Sequence, residues 1–316
     1  MRVPPRLYKY RQVDLRTINV LVCDELRYSD PLAFNDPLDT NPLIEIDLPS
    51  EEIENLLALM ARKRHEDELT AAASRLKYRG PKTAEHIARQ ALSAASADLR
   101  LKELQYLATD PDLPDVGTHA YLRSLRDLLL REVLALHRHG VVSLSKKNDC
   151  PLMWSHYGGE HQGICVGYEV PPEVCRALLK VSYTKPRLVP ASLVKRAVFG
   201  CEVAQRELRE TVFGVKARCW RYEQEWRLLG EKGNQRSVLE LADITFGIRC
   251  PDAVRHALVS AFATRARPID FFEMCEVGDA FDLRRVEMDI EELARHYPMR
   301  GRDVDDILAA FDDITE

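Results

Sequence analysis

Cys219-Trp-Arg-Tyr-Glu-Gln-Glu-Trp-Arg-Leu-Leu229 is the stretch whose alternation decides the fold class. In an extended strand, residues i and i+2 share a face. Read that way, Trp220, Tyr222, Trp226 and Leu228 form one face, interrupted only by Gln224, and Arg221, Glu223, Glu225 and Arg227 form the other. Two other short segments are one-sided in the same sense. Val142 and Leu144 stand opposite Val141, Ser143 and Ser145, and Tyr8 and Tyr10 stand opposite Leu7, Lys9 and Arg11. If the three strands line one cleft, a basic residue, two hydroxyls and two carboxylates meet there. The same pattern also suits a solvated, salt-bridged face of an antiparallel sheet. Alternation tells which residues share a face, not what that face meets.

Outward from these strands, the texture of the chain changes twice. From Ser50, an N-cap followed by Glu51 and Glu52, to about His137, apolar positions such as Ile53, Leu56, Leu57 and Met60 recur at helical spacing. Pro81 and the stretch Pro111–Gly117 divide this region into about three helices. After Gly140 short strands return, at 141–145, 163–170 and 180–183, with Pro171 and Pro172 opening a short helix between the last two. A helix over about 191–217 precedes the opening strand. Strands near 244–248 and 269–272 flank a helix at 252–264, and a terminal helix covers about 302–312. The predicted fold is α+β: a mixed, mostly antiparallel sheet core from 1–49 and 138–316, with a helical insertion at 50–137.

Composition narrows the class. With 316 residues, 46% hydrophobic and 30% charged, the chain can bury a full core and is neither disordered nor fibrous. Its 45 basic and 50 acidic residues leave a net charge of -5, so no global positive field gathers nucleic acid or anionic membrane. The basic run from Lys185 to Arg196 reads as solvated surface. Eight cysteines are scattered without a C-x-x-C pair, against a zinc ribbon or a thioredoxin-like motif. Met1-Arg-Val-Pro-Pro-Arg-Leu7 has no apolar signal core, and no stretch approaches the roughly 18 apolar residues of a membrane span. The expected setting is the cytoplasm, with reduced thiols and no membrane.

The densest segment, Cys150-Pro-Leu-Met-Trp-Ser-His-Tyr-Gly-Gly-Glu-His-Gln-Gly163, brings Trp154, His156, Tyr157 and His161 together with three glycines. It reads as a loop or helical turn with close backbone approach and stacking groups, with His156 and Tyr157 as ligand candidates and Trp154 as a core anchor. The histidine pairs His137/His139 and His156/His161 lack the further ligands of known zinc sites, so no metal is expected.

Leu7-Tyr-Lys-Tyr-Arg11, Phe34-Asn-Asp-Pro37, Met153-Trp-Ser-His-Tyr157 with His161-Gln-Gly163, and Tyr222-Glu-Gln-Glu-Trp-Arg227 together resemble the bacterial family known only as domain of unknown function 2971. The chain departs from that pattern by its long helical region and by Leu144, where the family more often has Phe. A more distant resemblance carries chemistry. The order of a basic residue, Ser143-Leu-Ser145 and Glu223-Gln-Glu225 is similar to the Arg–Ser–Glu class of ADP-ribosyltransferases, and Ile164–Pro171 looks like the strand that follows its serine motif. This resemblance implies an ADP-ribosyltransferase-like fold and an enzyme that cleaves NAD and passes ADP-ribose to an acceptor, as toxins and defence effectors do.

On that reading Glu225 holds the ribose hydroxyls beside the developing oxocarbenium ion, and Glu223 orients or deprotonates the acceptor. Ser145 and Ser143 position Glu225 and the ribose, Lys9 or Arg11 meets the pyrophosphate, and Tyr157 stacks on nicotinamide, with His156 beside it. The acceptor can be protein, nucleic acid, a small molecule or water, and the helical region is a surface for a protein partner. Two other classes fit the same residues: a metal-dependent nuclease using Glu223, Glu225, Asp36 and His156, and a non-catalytic ligand sensor.

Overall fold

Short strands build a sheet of eight, seen in a computed structural model that describes residues 3–78, 80–108 and 118–299. In chain order the elements are β1 (Arg6–Arg11), α1 (Leu15–Val22), β2 (Glu25–Tyr28), β3 (Leu43–Glu45), α2 (Ser50–Arg75), α3 (Thr83–Leu107), α4 (Thr118–Leu136), β4 (Gly140–Ser145), α5 (Pro151–Tyr157) and β5 (Ile164–Glu169). They continue with β6 (Leu179–Lys180), β7 (Leu188–Pro190), α6 (Ala191–Val198), α7 (Glu202–Phe213), β8 (Glu225–Gly230), β9 (Gly233–Arg236), β10 (Glu240–Phe246), α8 (Asp252–Phe262), β11 (Asp270–Glu276), β12 (Leu283–Glu287) and α9 (Ile290–His296). The sheet order is β12-β11-β10-β5-β1-β4-β8-β6, and β10–β11 is its one parallel pair. The mixed, mostly antiparallel sheet is therefore as read from the sequence.

Several boundaries differ from that reading, each for a local reason. The strand expected over 219–229 begins at Glu225, because Arg218–Glu223 forms a 3₁₀ turn that ends on Gln224 in the left-handed region (φ 45). The helix expected over 191–217 is two helices, broken at Gly200 with φ 92. Ser50 is the first helical residue, and Pro49 occupies the cap without a side-chain bond, while Glu51 and Glu52 do sit in the first turn. The strand expected at 180–183 shrinks to Leu179–Lys180. The terminal helix expected at 302–312 lies outside the described residues.

Two apolar layers hold these elements. On one side of the sheet, Leu7, Val142, Leu144, Val166, Trp226, Leu228, Ile244 and Phe246 pack with Leu258 and Phe262 of α8. The second layer joins the helical region to the rest: Ile53, Leu56, Leu57 and Met60 of α2 and Leu125, Leu129 and Val133 of α4 pack with Leu193 and Val194 of α6 and Leu208, Val212 and Phe213 of α7. Lys195 of α6 also pairs with Glu52 of α2 at 2.6 Å. Each fully buried aliphatic side chain contributes about 1.5–3 kcal/mol, so α2 and α4 are bound to the strand region by many such increments.

Replacing residues 50–137 with a short linker is accordingly expected to expose the apolar faces of α6 and α7 and to abolish the cooperative near-UV circular dichroism melt. A deletion protein that still melts cooperatively shows instead that the sheet stands without these helices.

Candidate active site

The middle of the sheet is split. β1 matches β5 over six register pairs and β4 matches β8 over six, but β1 and β4 share the single pair Tyr8↔Ser145. Beside that pair lies a cleft of about 610 Å³, lined by Tyr8 and Lys9 of β1 and Ser143 and Ser145 of β4 among others. Strand carbonyls beside such a gap lose their ladder partner, and a buried carbonyl needs another donor. Lys9 supplies one: its Nζ donates to the Ser143 carbonyl at 2.8 Å. Burial, then the charge of Arg11, lowers the Lys9 pKa to about 8, although Glu225 and Glu223 pull the other way.

At the floor of the cleft, three carboxylates and two cations form a buried cluster. Arg227 is 0% exposed and Glu223 and Glu225 are each 3% exposed, which rules out a solvated strand face. Arg227 donates through Nε and Nη2 to Glu225 at 2.8 and 3.0 Å, and through Nη1 and Nη2 to Asp39 at 2.9 and 2.7 Å. Its Nη1 also donates to the Phe213 carbonyl at 2.9 Å. Lys216 Nζ reaches Glu223 at 2.5 Å, Glu225 at 3.2 Å and Asp39 at 3.4 Å. Burial opposes ionisation of Glu225, yet Arg227 and Lys216, with a hydrogen bond from Ser143, hold its carboxyl well below the usual range. Burial wins at Glu223, whose pKa is raised despite Lys216. Lys216 stays a cation because Glu225, Glu223 and Asp39 together outweigh its burial.

The turn that carries the carboxylates is held by hydroxyls. Ser145, opposite Glu225 in the register, donates its Oγ to the Glu223 carbonyl at 2.7 Å and accepts from the Lys147 amide at 3.0 Å. Tyr157 donates to Glu223 Oε1 at 2.8 Å, and the Glu225 amide donates to the Tyr183 hydroxyl at 2.9 Å. Gln224 between them sits at φ 45, ψ 50. A non-glycine residue there carries strain of order 1 kcal/mol or more, which the bonded neighbours hold in place.

An aromatic wall stands beside the carboxylates. His156 on α5 is exposed, stacks with Tyr222 at a centroid distance of 6.4 Å and meets Trp220 edge-on at 6.3 Å. Trp220 donates Nε1 to Asp36 at 2.8 Å and lies 5.1 Å beneath the Lys216 ammonium. Trp154 is a core anchor at 0% exposure, packed edge-on against Tyr10.

Of the residues singled out from sequence, Lys9, Ser143, Ser145, Glu223, Glu225, His156 and Tyr157 all line this one cleft. Arg11 does not line it; its Nε and Nη2 are buried without a hydrogen-bond partner. Parity put Lys9 on the same face as the serines, but Tyr8 is the residue opposite Ser145, and Lys9 enters through the split between strands. Sequence reading missed Lys216, Tyr183 and Asp39 as members of the site. Asp39 follows the Phe34–Pro37 motif by two residues and so stood beside a usable signal; Lys216 follows no pattern.

Among the described residues no group of three or more His, Cys, Asp or Glu is arranged to hold a metal ion, and no helix is long and apolar enough to cross a membrane. All eight cysteines are free. Set against known proteins, the chain matches no family model, no curated protein and no solved structure.

Arg227 tests whether this cluster is structural bedrock. Removing one partner of a buried ion pair leaves the others uncompensated, at about 3–5 kcal/mol. Arg227→Met is expected to lose that much in urea unfolding, whereas the exposed Arg221→Met changes stability by about 0.5 kcal/mol or less. Equal small losses in both variants contradict the buried-pair account.

Proposed function

We propose that the cleft binds NAD and cleaves its nicotinamide–ribose bond, passing ADP-ribose to an acceptor. The observation that carries this reading is the meeting of Lys9, Ser143, Ser145, Glu223 and Glu225 around one cleft, from three strands adjacent in the sheet and the turn that leads into the last of them. The resemblance to domain of unknown function 2971 belongs to the same proposal. Residues of three of its motifs, Asn35, Tyr157 and Glu223, are joined in one hydrogen-bond chain, which supports reading the motifs as parts of one site.

Bond cleavage sends the electron pair to the nicotinamide nitrogen and leaves oxocarbenium character on the ribose carbon. Glu225 is ionised, buried and fixed in orientation by Arg227, so it needs no reorganisation as that charge develops. Ser143 lines the cleft beside it, while Ser145 acts as a positioning residue for the 223–225 turn. The acceptor then attacks the ribose carbon and gives its proton to Glu223, whose raised pKa suits a base. Tyr157 is committed to Glu223, so the exposed His156, backed by Tyr222, offers the better surface for nicotinamide. The acceptor stays open among protein, nucleic acid, small molecule and water.

A metal-dependent nuclease draws less support from the same geometry. Glu223 and Glu225 already neutralise Lys216 and Arg227, and Asp36 accepts from Trp220. A cation there competes with the Lys216 ammonium and the Arg227 guanidinium already in contact.

Mass spectrometry of NAD and its products tests the reading directly. Glu225→Gln is expected to lower NAD turnover by about two orders of magnitude, and also to lower thermal stability, because Glu225 is paired. Asp39→Asn disturbs the same cluster without the proposed chemistry, so its turnover stays within about tenfold of wild type. Glu223→Gln keeps hydrolysis to free ADP-ribose and loses transfer. Intact NAD after long incubation with wild type and lysate moves the protein to the ligand-sensor class.

The pH dependence follows from Lys9. Its depressed pKa means that it is charged below about 8 and neutral above, so attraction for the NAD diphosphate fades as pH rises through that value. KM for NAD is expected to rise between pH 7 and 9 in wild type and to stay flat in Lys9→Met. A wild-type KM independent of pH across this window removes Lys9 from diphosphate binding.

A further inference from the structure

The charges facing the cleft do not all have partners. Asp39, Glu223 and Glu225 are taken up by Lys216 and Arg227. Asp30, also on the wall, pairs with Lys232 at 2.7 Å and accepts from the Leu32 amide. Lys9 is tied to the Ser143 carbonyl. Two cations on the wall are left: Arg16 at the start of α1 and Arg27 on β2. Arg27 has a neutral partner, donating to Asn234 Oδ1 at 3.3 Å. Arg16 is exposed, and the nearby Asp14, which feels its charge, is already committed to capping α1 through the Thr17 amide at 2.6 Å.

These are two guanidinium groups on separate elements that line one cavity, and neither has a carboxylate within ion-pair distance among the described residues. A diphosphate answers both. Each guanidinium presents a planar fork that matches two phosphate oxygens, and two adjacent phosphates offer enough oxygens for two forks. A neutral ligand leaves both charges unanswered, and a single phosphate cannot be shared as fully.

We infer that Arg16 and Arg27 form an anion subsite at the wall of the cleft, selective for the diphosphate of a dinucleotide or nucleoside diphosphate over a monophosphate. The inference rests on the reading that the cleft takes NAD, with Lys9 attracting its diphosphate, and it adds residues on α1 and β2 as the source of selectivity for two phosphates over one. The glutamate cluster handles the ribose, and the arginine wall sets the register of the ligand along the cleft.

Isothermal titration with ADP and AMP as probes, using the full chain, tests the subsite without requiring turnover. Wild type is expected to bind ADP more tightly than AMP. Arg16→Ala and Arg27→Ala each reduce ADP affinity by about tenfold or more and shrink the ADP/AMP ratio toward one. Arg27→Lys, which keeps the charge but not the fork, retains intermediate affinity. Both arginines lie outside the buried cluster, so far-UV circular dichroism and melting temperature are expected to match wild type. Unchanged ADP affinity in both alanine variants overturns the subsite, as does a wild type that fails to bind ADP. NAD turnover measured on the same samples keeps the two ideas apart. Arginine-dependent ADP binding without NAD cleavage retains the subsite and removes the transferase, and NAD cleavage with ADP binding indifferent to the arginines does the reverse.

Discussion

Arg227 is the group on which the rest of the site depends. Its guanidinium is fully buried, and it bonds Glu225 on its own strand, Asp39 from the long connection after β2, and the last carbonyl of α7. Those partners come from parts of the chain up to 188 residues apart. A charge at that depth is tolerable only when its donors are matched, since desolvation of an unpaired ion costs several kcal/mol. Domains of ordinary stability have about 5–15 kcal/mol in total. The connection carrying Asn35, Asp36 and Asp39 is therefore pinned to the cleft by the same interaction that orients the carboxylate, and the shape of the site and the stability of the sheet are not separable properties here.

The split between β1 and β4 is the second constraint. A continuous ladder would have run the strands edge to edge and left no room at their centre. The single shared pair, Tyr8↔Ser145, keeps the two halves in register while the cleft opens beside it. Lys9 satisfies a carbonyl freed by the split, so a charged side chain does the work of a strand amide. Burial there lowers its pKa, which places a proton-sensitive cation in the cavity as a by-product of closing the hydrogen-bond ladder.

Much of this was legible in the sequence, and the failures have physical causes. Period-two alternation in 7–11 and 141–145 and the short apolar run at 163–170 marked three strands, each of which pairs with neighbours on both sides, although β4 and β5 are buried on both faces rather than one. The same rule misread 219–224. Trp220 and Tyr222 alternate with charges as a strand would, but the segment turns as a 3₁₀ helix, and its two rings contact each other and His156 instead of sharing a strand face. Glu223 and Glu225 still face one cavity because left-handed Gln224 and the Lys216 ammonium draw them together. Lys216 could not be found from pattern, since its role arises from tertiary contact with three acids. Arg11 shows the converse: it sits on a strand beside Lys9, yet parity cannot tell which member of one face reaches a gap that exists only in three dimensions.

The cluster also bears on what a catalytic carboxylate in this cleft can do. Asp39, Glu223 and Glu225 carry three negative charges, and Lys216, Arg227 and Lys9 carry three positive ones when Lys9 is protonated. Long-range attraction for a cationic transition state is then small, and any stabilisation must come from short range, where the nearest Glu225 oxygen outweighs a guanidinium behind it. That places the burden on geometry: a shift of Glu225 away from the reacting carbon forfeits an advantage that net charge would not restore. The bidentate hold of Arg227 and the Ser145 anchor on the 223 carbonyl both restrict such a shift. A lone buried glutamate would instead take up a proton and lose the charge altogether, so the pairing that weakens the field is also what keeps the carboxylate ionised.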